Sequence, residues 1–519
     1  MEESRTILGT TELIGRIPPL DLGVVAFDEA EGPACRTICL HKVQPAEFEK
    51  YVSDVLCLGY AVREEHTLGA SRFYALEKED TALFLNYYPG IGYMTLVGEK
   101  DSGYYRLQDR PGCECMGSLL THIDLEDYGM SYMIRMADGR FLVLDGGWDL
   151  APDADKLMEQ LRKQSPEKKP VIAAWIFTHP HIDHYRCFLV FYEKYREDVV
   201  IQSFLYNFPE ITEELVSRVP LLLEEEETEA LRKLEEYVSG SGVPTVRPHT
   251  GQVYRFANVR MEVLASPDDA CYAPCNVNSI SLVLRMEIEG QRILFCGDSE
   301  LDMVFLAERY GTYLKSDLLQ VTHHGFNGGS IPVYRYVWPE VCLVPVSEKL
   351  FYGTFGYHRA ENQALIYDLD VKEIITGSTG DRVLELPYRA KPNGQTLLLD
   401  TARQWQEKLG AHTWVFGDMT WETCKFSVLN MTYGEGTICA DLFFEDPADN
   451  VRAIVIKAPA KTVKRVDFTE NGAIDPDALY FNRSSLAKKG IPAGKTFAVH
   501  LTSDRPLVIW GSKEPVYMK

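Results

Sequence analysis

Thr178-His179-Pro180-His181-Ile182-Asp183-His184 places four metal-ligand side chains within six residues, directly after the apolar run Val171 to Phe177. The chain has 12 histidines and 76 acidic residues among 519. Three histidines and one acid in this fixed order would therefore arise by chance in roughly one such chain in a thousand, so the spacing reads as a motif. In an extended loop, side chains two residues apart point the same way, so His179 and His181 can reach one ion. Asp183 and His184 can reach a second. Two divalent cations about 3.5 to 4 Å apart can share a hydroxide whose pKa falls toward neutrality, and that hydroxide would be the nucleophile. A helix N-cap at Asp183 among surface histidines accounts for only one of the four residues.

Outward from this loop, strand-like runs end in charged or histidine-bearing turns. Ser131 to Met136 is followed by Phe141 to Leu144, which runs into Asp145-Gly146-Gly147, and the helical pattern Asp153 to Gln164 precedes Val171 to Phe177. Strands and helices alternate as in an α/β layer structure, and such folds carry their sites at strand ends. Arg292 to Phe295 ends in Cys296-Gly297-Asp298, and Leu318 to Thr322 ends in His323-His324-Gly325.

In this order the pieces resemble the metallo-β-lactamase fold superfamily, whose hallmark is an HxHxDH loop after a central strand, over about residues 116 to 390. The resemblance implies an α/β protein built on an αββα sandwich. It also implies that His179, His181, Asp183 and His184 bind metal, that Asp298 bridges two metals, and that Asp145 supports the histidine loop from behind. One of His323 and His324 supplies the last ligand. The His-His-Gly form, with Asn276-Val277-Asn278-Ser279, is most similar to the branch holding hydrolase-like domains of bacterial DNA-uptake proteins and the phosphorylcholine esterases. A phosphoester substrate follows from that likeness. The expected cofactors are two divalent ions, zinc by preference, with manganese or iron also accepted by open N/O sites.

The pattern departs from the superfamily at one point. A further histidine usually follows the HxHxDH loop for metal site 1, but the only histidine between His184 and Asp298 is His249, which reads as a surface residue in a turn. Asn207 sits nearer the expected place and is a poor zinc ligand. Site 1 then holds His179, His181 and Asp298, with a position open to water or substrate. Asp183 and His358 are the candidate catalytic residues, His358 as a proton donor to a leaving group. Flavodiiron-type reductases of this fold carry an acid where His181 stands, which argues against redox chemistry. The rival readings are hydrolysis of a lactone, thioester or amide by the same centre, and a non-catalytic, metal-stabilised binding module.

Three domains are expected: an N-terminal α+β accessory domain over 1–112, the hydrolase domain over 113–400, and a β-rich, sandwich-like domain over 401–519. The first rests on a helix around Pro45 to Leu58 and the strands Arg72 to Leu76, Ala82 to Tyr88 and Gly92 to Val97; the last on short strands from Thr413 to Trp510. Leu221 to Val238 reads as a helix with a solvated Glu224 to Glu227 face. The composition, 45% hydrophobic and 25% charged, is that of a folded globular chain. A formal net charge of −23 repels nucleic-acid backbones and leaves small molecules as the expected partners. No run of 18 apolar residues and no signal-peptide core is present, so the expectation is a cytoplasmic protein without a membrane partner. The 12 cysteines show no doubled CxxC and read as reduced thiols.

Overall fold

The computed structural model describes residues 17–31, 35–107, 116–126, 128–208, 225–272, 277–326, 329–347, 351, 362, 365, 369, 371–377, 380–391, 411–420, 422–430, 435–460, 462–467, 479–480, 495–513 and 515–518. Two compact units divide the chain: Met1–Gly356 with Leu369–Lys391, and Tyr357–Asp368 with Pro392–Lys519.

The first unit opens with a six-stranded antiparallel sheet. Its strands Ser71–Lys78 and Thr81–Tyr88 show why one sheet can serve two cores. Alternate residues point to opposite faces, so Tyr74, Leu76, Leu83 and Leu85 pack beneath the helix Pro45–Cys57. Phe73, Ala75 and Phe84 face the other way, into the large core shared with the following sheets.

That following part is the expected pair of facing sheets, one of eight strands and one of seven. In the first of them, Leu142 and Leu144 of the strand Phe141–Asp145 point to the core between the sheets. Phe141 and Val143 point to the outer layer formed by the helices Ala151–Gln164, Ile182–Tyr195 and Glu225–Gly240. The strand Val171–Ile176 carries a register shift between Ile172 and Ala174. The extra residue of that bulge lets Ala173 and Ala174 face the same core before alternation resumes at Trp175. In the second sheet, Gln291–Phe295, Leu318–Gln320 and Val341–Ser347 pair in parallel. Parallel neighbours need crossovers, and these carry the short helices Phe305–Tyr310 and Ile331–Val337.

His249 corrects its sequence reading: it is fully buried, not a surface residue. Its Nδ1 lies 2.9 and 3.1 Å from the two carboxylate oxygens of Asp268, and its Nε2 lies 3.6 Å from Glu99 of the strand Tyr93–Lys100. The Thr37 hydroxyl donates to Asp268. His249 thus joins the N-terminal sheet to the turn at Asp268. Burial alone would lower its pKa, but Asp268 and Glu99 outweigh it and raise the value to about 10. A pKa raised above its unfolded value stabilises fully below the unfolded pKa near 6.5 and loses its effect as pH climbs through the folded one. His249→Gln is therefore expected to cost about 3 kcal/mol or more at pH 6. Urea titrations at pH 6 and pH 9.5 should show that deficit shrinking at the higher pH; an equal deficit at both would contradict a charged His249.

In the second unit the strands Ala411–Met419, Lys425–Asn430, Gly436–Phe444 and Val451–Ala458 bury alternate residues, Trp414, Phe416, Val428, Ile438, Ala440 and Leu442 among them. The last of the expected short strands belong to one long strand, Phe497–Gly511. Its first part pairs with Gly436–Phe444 and its last part with Lys425–Asn430, so one strand belongs to two ladders. Among the described residues no helix is long and apolar enough to cross a membrane.

Candidate metal centre

The site is assembled from strand ends, as the order of strands demands. The strand Phe141–Asp145 ends on Asp145 at φ +55, a left-handed conformation that Asp tolerates better than most residues. Its carboxylate then faces the next strand's end: Oδ1 accepts from the Thr178 N–H and Oδ2 from the Thr178 hydroxyl, both at 2.7 Å. Oδ2 also lies 2.7 Å from His184 Nδ1. The helix Ile182–Tyr195 starts directly after, with His181 at its N-cap and Asp183 in its first turn, where the helix dipole favours an anion.

Asp298 follows the strand Gln291–Phe295 through Cys296 and Gly297. Gly297 has φ +54, and a Cβ there would lie 2.9 Å from that of Ser281. Only glycine makes this turn, after which Asp298 N–H donates to Ser281 Oγ at 3.1 Å. His323 and His324 follow Leu318–Gln320 with φ +47 and +52. Two consecutive left-handed residues without glycine are strained, and such strain concentrates at functional sites.

Two groups of donors result, and Asp298 belongs to both. Asp183, His184, Asp298 and His324 form one; His179, His181 and Asp298 form the other; within each, the ligand atoms lie within 4.8 Å of one another. Asp298 Oδ2 lies 3.1 Å from His184 Nε2, 3.2 Å from His324 Nε2 and 3.8 Å from His179 Nε2. Asp183 Oδ2 is 3.0 Å from His324 Nε2.

The tautomers follow from the outer partners. Nδ1 of His184 faces Asp145, that of His179 lies 3.1 Å from the Thr178 hydroxyl, and that of His324 lies 3.2 Å from the Pro345 carbonyl. Each Nδ1–H is thus committed outward, leaving Nε2 inward; that of His179 lies 3.1 Å from His181 Nδ1. Nε2 of His184, Nε2 of His324 and Oδ1 of Asp298 are buried with no hydrogen-bond partner. Buried polar atoms without partners are costly, and converging lone pairs are what a cation satisfies. The donor set fits divalent metals.

The electrostatics agree. Burial, then the neighbouring His184, holds His179 well below the usual histidine range, so it is neutral, the form that can bind a metal. Burial would do the same to His184, but Asp298, Asp183 and Asp145 overcome it and drive its pKa well up. His324 is raised to about 9 against burial, by Asp298 and Asp183. The pocket calls for positive charge at the place where these Nε2 atoms meet the carboxylates.

His324, not His323, joins the first group. His323 sits at the rim, 16% exposed, with Nδ1 3.1 Å from Glu300, which accepts from Asn278. Asn207 is committed to the Pro248 carbonyl and to Arg247. His358 lies outside the described residues.

Residues 125–257 match the model of the metallo-beta-lactamase superfamily. This region belongs to that superfamily. The matched stretch holds Asp145 and the HxHxDH loop and ends before Asp298 and His324, which the fold delivers to the same point. The match over this region supports a metallo-hydrolase. Among solved structures, a metallo-beta-lactamase from Hirschia baltica is 12% identical, the match covering 46% of this chain and 70% of that one, with a TM-score of 0.19. A flavo-diiron protein from Thermotoga maritima is 11% identical over 66% of this chain and 62% of its own, with a TM-score of 0.21. The Anabaena sensory rhodopsin transducer is 19% identical over 20% of this chain and 95% of its own, with a TM-score of 0.16. At such TM-scores none of the three carries an argument. A comparison with curated proteins gives no match.

Proposed function

We propose that this metallo-hydrolase of the superfamily uses a dinuclear centre to cleave a phosphoester, with zinc as the preferred metal. The observation that carries the reading is the sharing of Asp298 between two donor groups, with His184 Nε2, His324 Nε2 and Asp298 Oδ1 buried without a hydrogen-bond partner. A carboxylate suits that shared place because it can give one oxygen to each ion. His179, His181 and Asp298 would hold one cation, and Asp183, His184, His324 and Asp298 the other. Bound there, the two ions would supply hydroxide at neutral pH and offset charge on the phosphoryl oxygens.

The residues around them do the positioning. Asp145 fixes the ring of His184 and the Thr178 backbone, and the Pro345 carbonyl fixes His324. The group with only three protein donors leaves a position open, as a catalytic site requires. The phosphoester choice is supported by the His323-His324-Gly325 and Asn276 to Ser279 likeness.

Metal-stripped protein reloaded with zinc or manganese is expected to hydrolyse bis(p-nitrophenyl) phosphate faster than a chromogenic lactone. Lactone turnover without phosphodiester turnover would overturn the substrate choice and favour acyl-group hydrolysis.

A further inference from the structure

Beside the metal centre, the Tyr128 ring meets those of Trp148, Phe326 and His324. The Tyr128 ring stands edge-on to Trp148 at 5.5 Å between centroids, to Phe326 at 5.6 Å and to His324 at 5.8 Å. Phe326 also lies 5.6 Å from His324. Tyr128, Trp148 and Phe326 are half-buried residues, whereas Trp175 and Tyr132 of the same unit are fully buried.

The chain holds two of these rings rigidly. Met130 N–H donates to the Asp183 carbonyl and Gly147 N–H to the His184 carbonyl, both at 3.2 Å, and Gly146 N–H donates to Met130 at 3.0 Å. Tyr128 and Trp148 therefore sit within two residues of backbone bonded to the two adjacent metal-site residues. The packing beneath them has no slack. A Cβ on Gly129 would lie 2.7 Å from the Asp183 carbonyl, and one on Gly147 would lie 2.7 Å from Leu125. Trp148 Nε1 is buried without an acceptor, a cost that phenylalanine would avoid. Stability alone does not account for an indole at this position.

We propose that Tyr128, Trp148 and Phe326 form a recognition wall for a flat apolar ring carried by the substrate, next to the bond that is cleaved. The perpendicular arrangement makes a notch in which a ligand ring can stack on one side chain and meet another edge to face, the two favoured aromatic geometries. This names the substrate class for the hydrolase reading and rests on that reading for the identity of the site.

The test uses full-length, manganese-loaded protein and two ligand pairs, phenylphosphonate with methylphosphonate and phenylacetate with acetate, by titration calorimetry. The aryl member of at least one pair is expected to bind about 10-fold or more tightly than its methyl partner. The advantage should fall to about 2-fold or less in Trp148→Leu and Phe326→Leu, with metal content unchanged. Two variants are used so that misfolding of one does not decide the matter. Equal binding within both pairs, no measurable aryl binding, or an aryl preference that survives both substitutions would overturn the wall. Tighter binding of tetramethylammonium than of either aryl ligand would overturn the ring in favour of a cation. An aryl preference without phosphodiester turnover would instead sink the phosphoester reading and leave the wall standing.

Discussion

Asp298→Ala is expected to reduce bound metal from two equivalents to one or none. Turnover should fall by more than the roughly 100-fold that loss of an outer partner costs. The reason is its shared position: Oδ2 lies within 3.2 Å of Nε2 on both His184 and His324 and 3.8 Å from that of His179. Removing the carboxylate takes a donor from both groups and leaves three imidazoles to repel one another when protonated. The fold should survive, because the turn depends on the Asp298 backbone N–H to Ser281 and on Gly297, neither of which the substitution touches. Elemental analysis with circular dichroism reads both quantities. Full metal content in Asp298→Ala would remove it from the centre.

The second large effect is expected at Asp145, which touches no cation. Its carboxylate accepts from the Thr178 N–H and hydroxyl and faces His184 Nδ1, all inside the protein. In Asp145→Asn one accepting oxygen becomes an NH2 that meets a donor, so His184 loses its fixed ring orientation. Metal affinity should drop about 10- to 100-fold, measured by manganese titration. Asp145→Ala leaves those donors orphaned and should in addition cost on the order of 3 kcal/mol of stability in urea titration. Wild-type affinity in Asp145→Asn would contradict the supporting role.

The strands of the two facing sheets were legible because their apolar runs stop at chemically marked residues. Phe141 to Leu144 stops at Asp145, Val171 to Ile176 at Thr178-His179, and Leu318 to Gln320 at the paired histidines. Spacing alone could not separate His323 from His324, since the choice depends on two left-handed residues that turn the second imidazole inward. The strand Ala61–Leu68 was missed because its inward positions Glu64 and His66 are polar, so no apolar alternation marks this edge. His249 was misjudged because its partners Asp268 and Glu99 arrive from 19 and 150 residues away. The aromatic wall gave no sequence signal: Tyr128, Trp148 and Phe326 share no spacing, and Tyr128 and Trp148 are brought near the site by the backbone bonds at Asp183 and His184.

Metal content per chain, by elemental analysis of protein purified without added metal and after reloading, tests the dinuclear centre most directly. Close to two equivalents are expected, and their removal by chelator should abolish turnover while leaving the fold largely in place. One equivalent or none after reloading would contradict a dinuclear centre, and unfolding on chelation would mark the metal as structural.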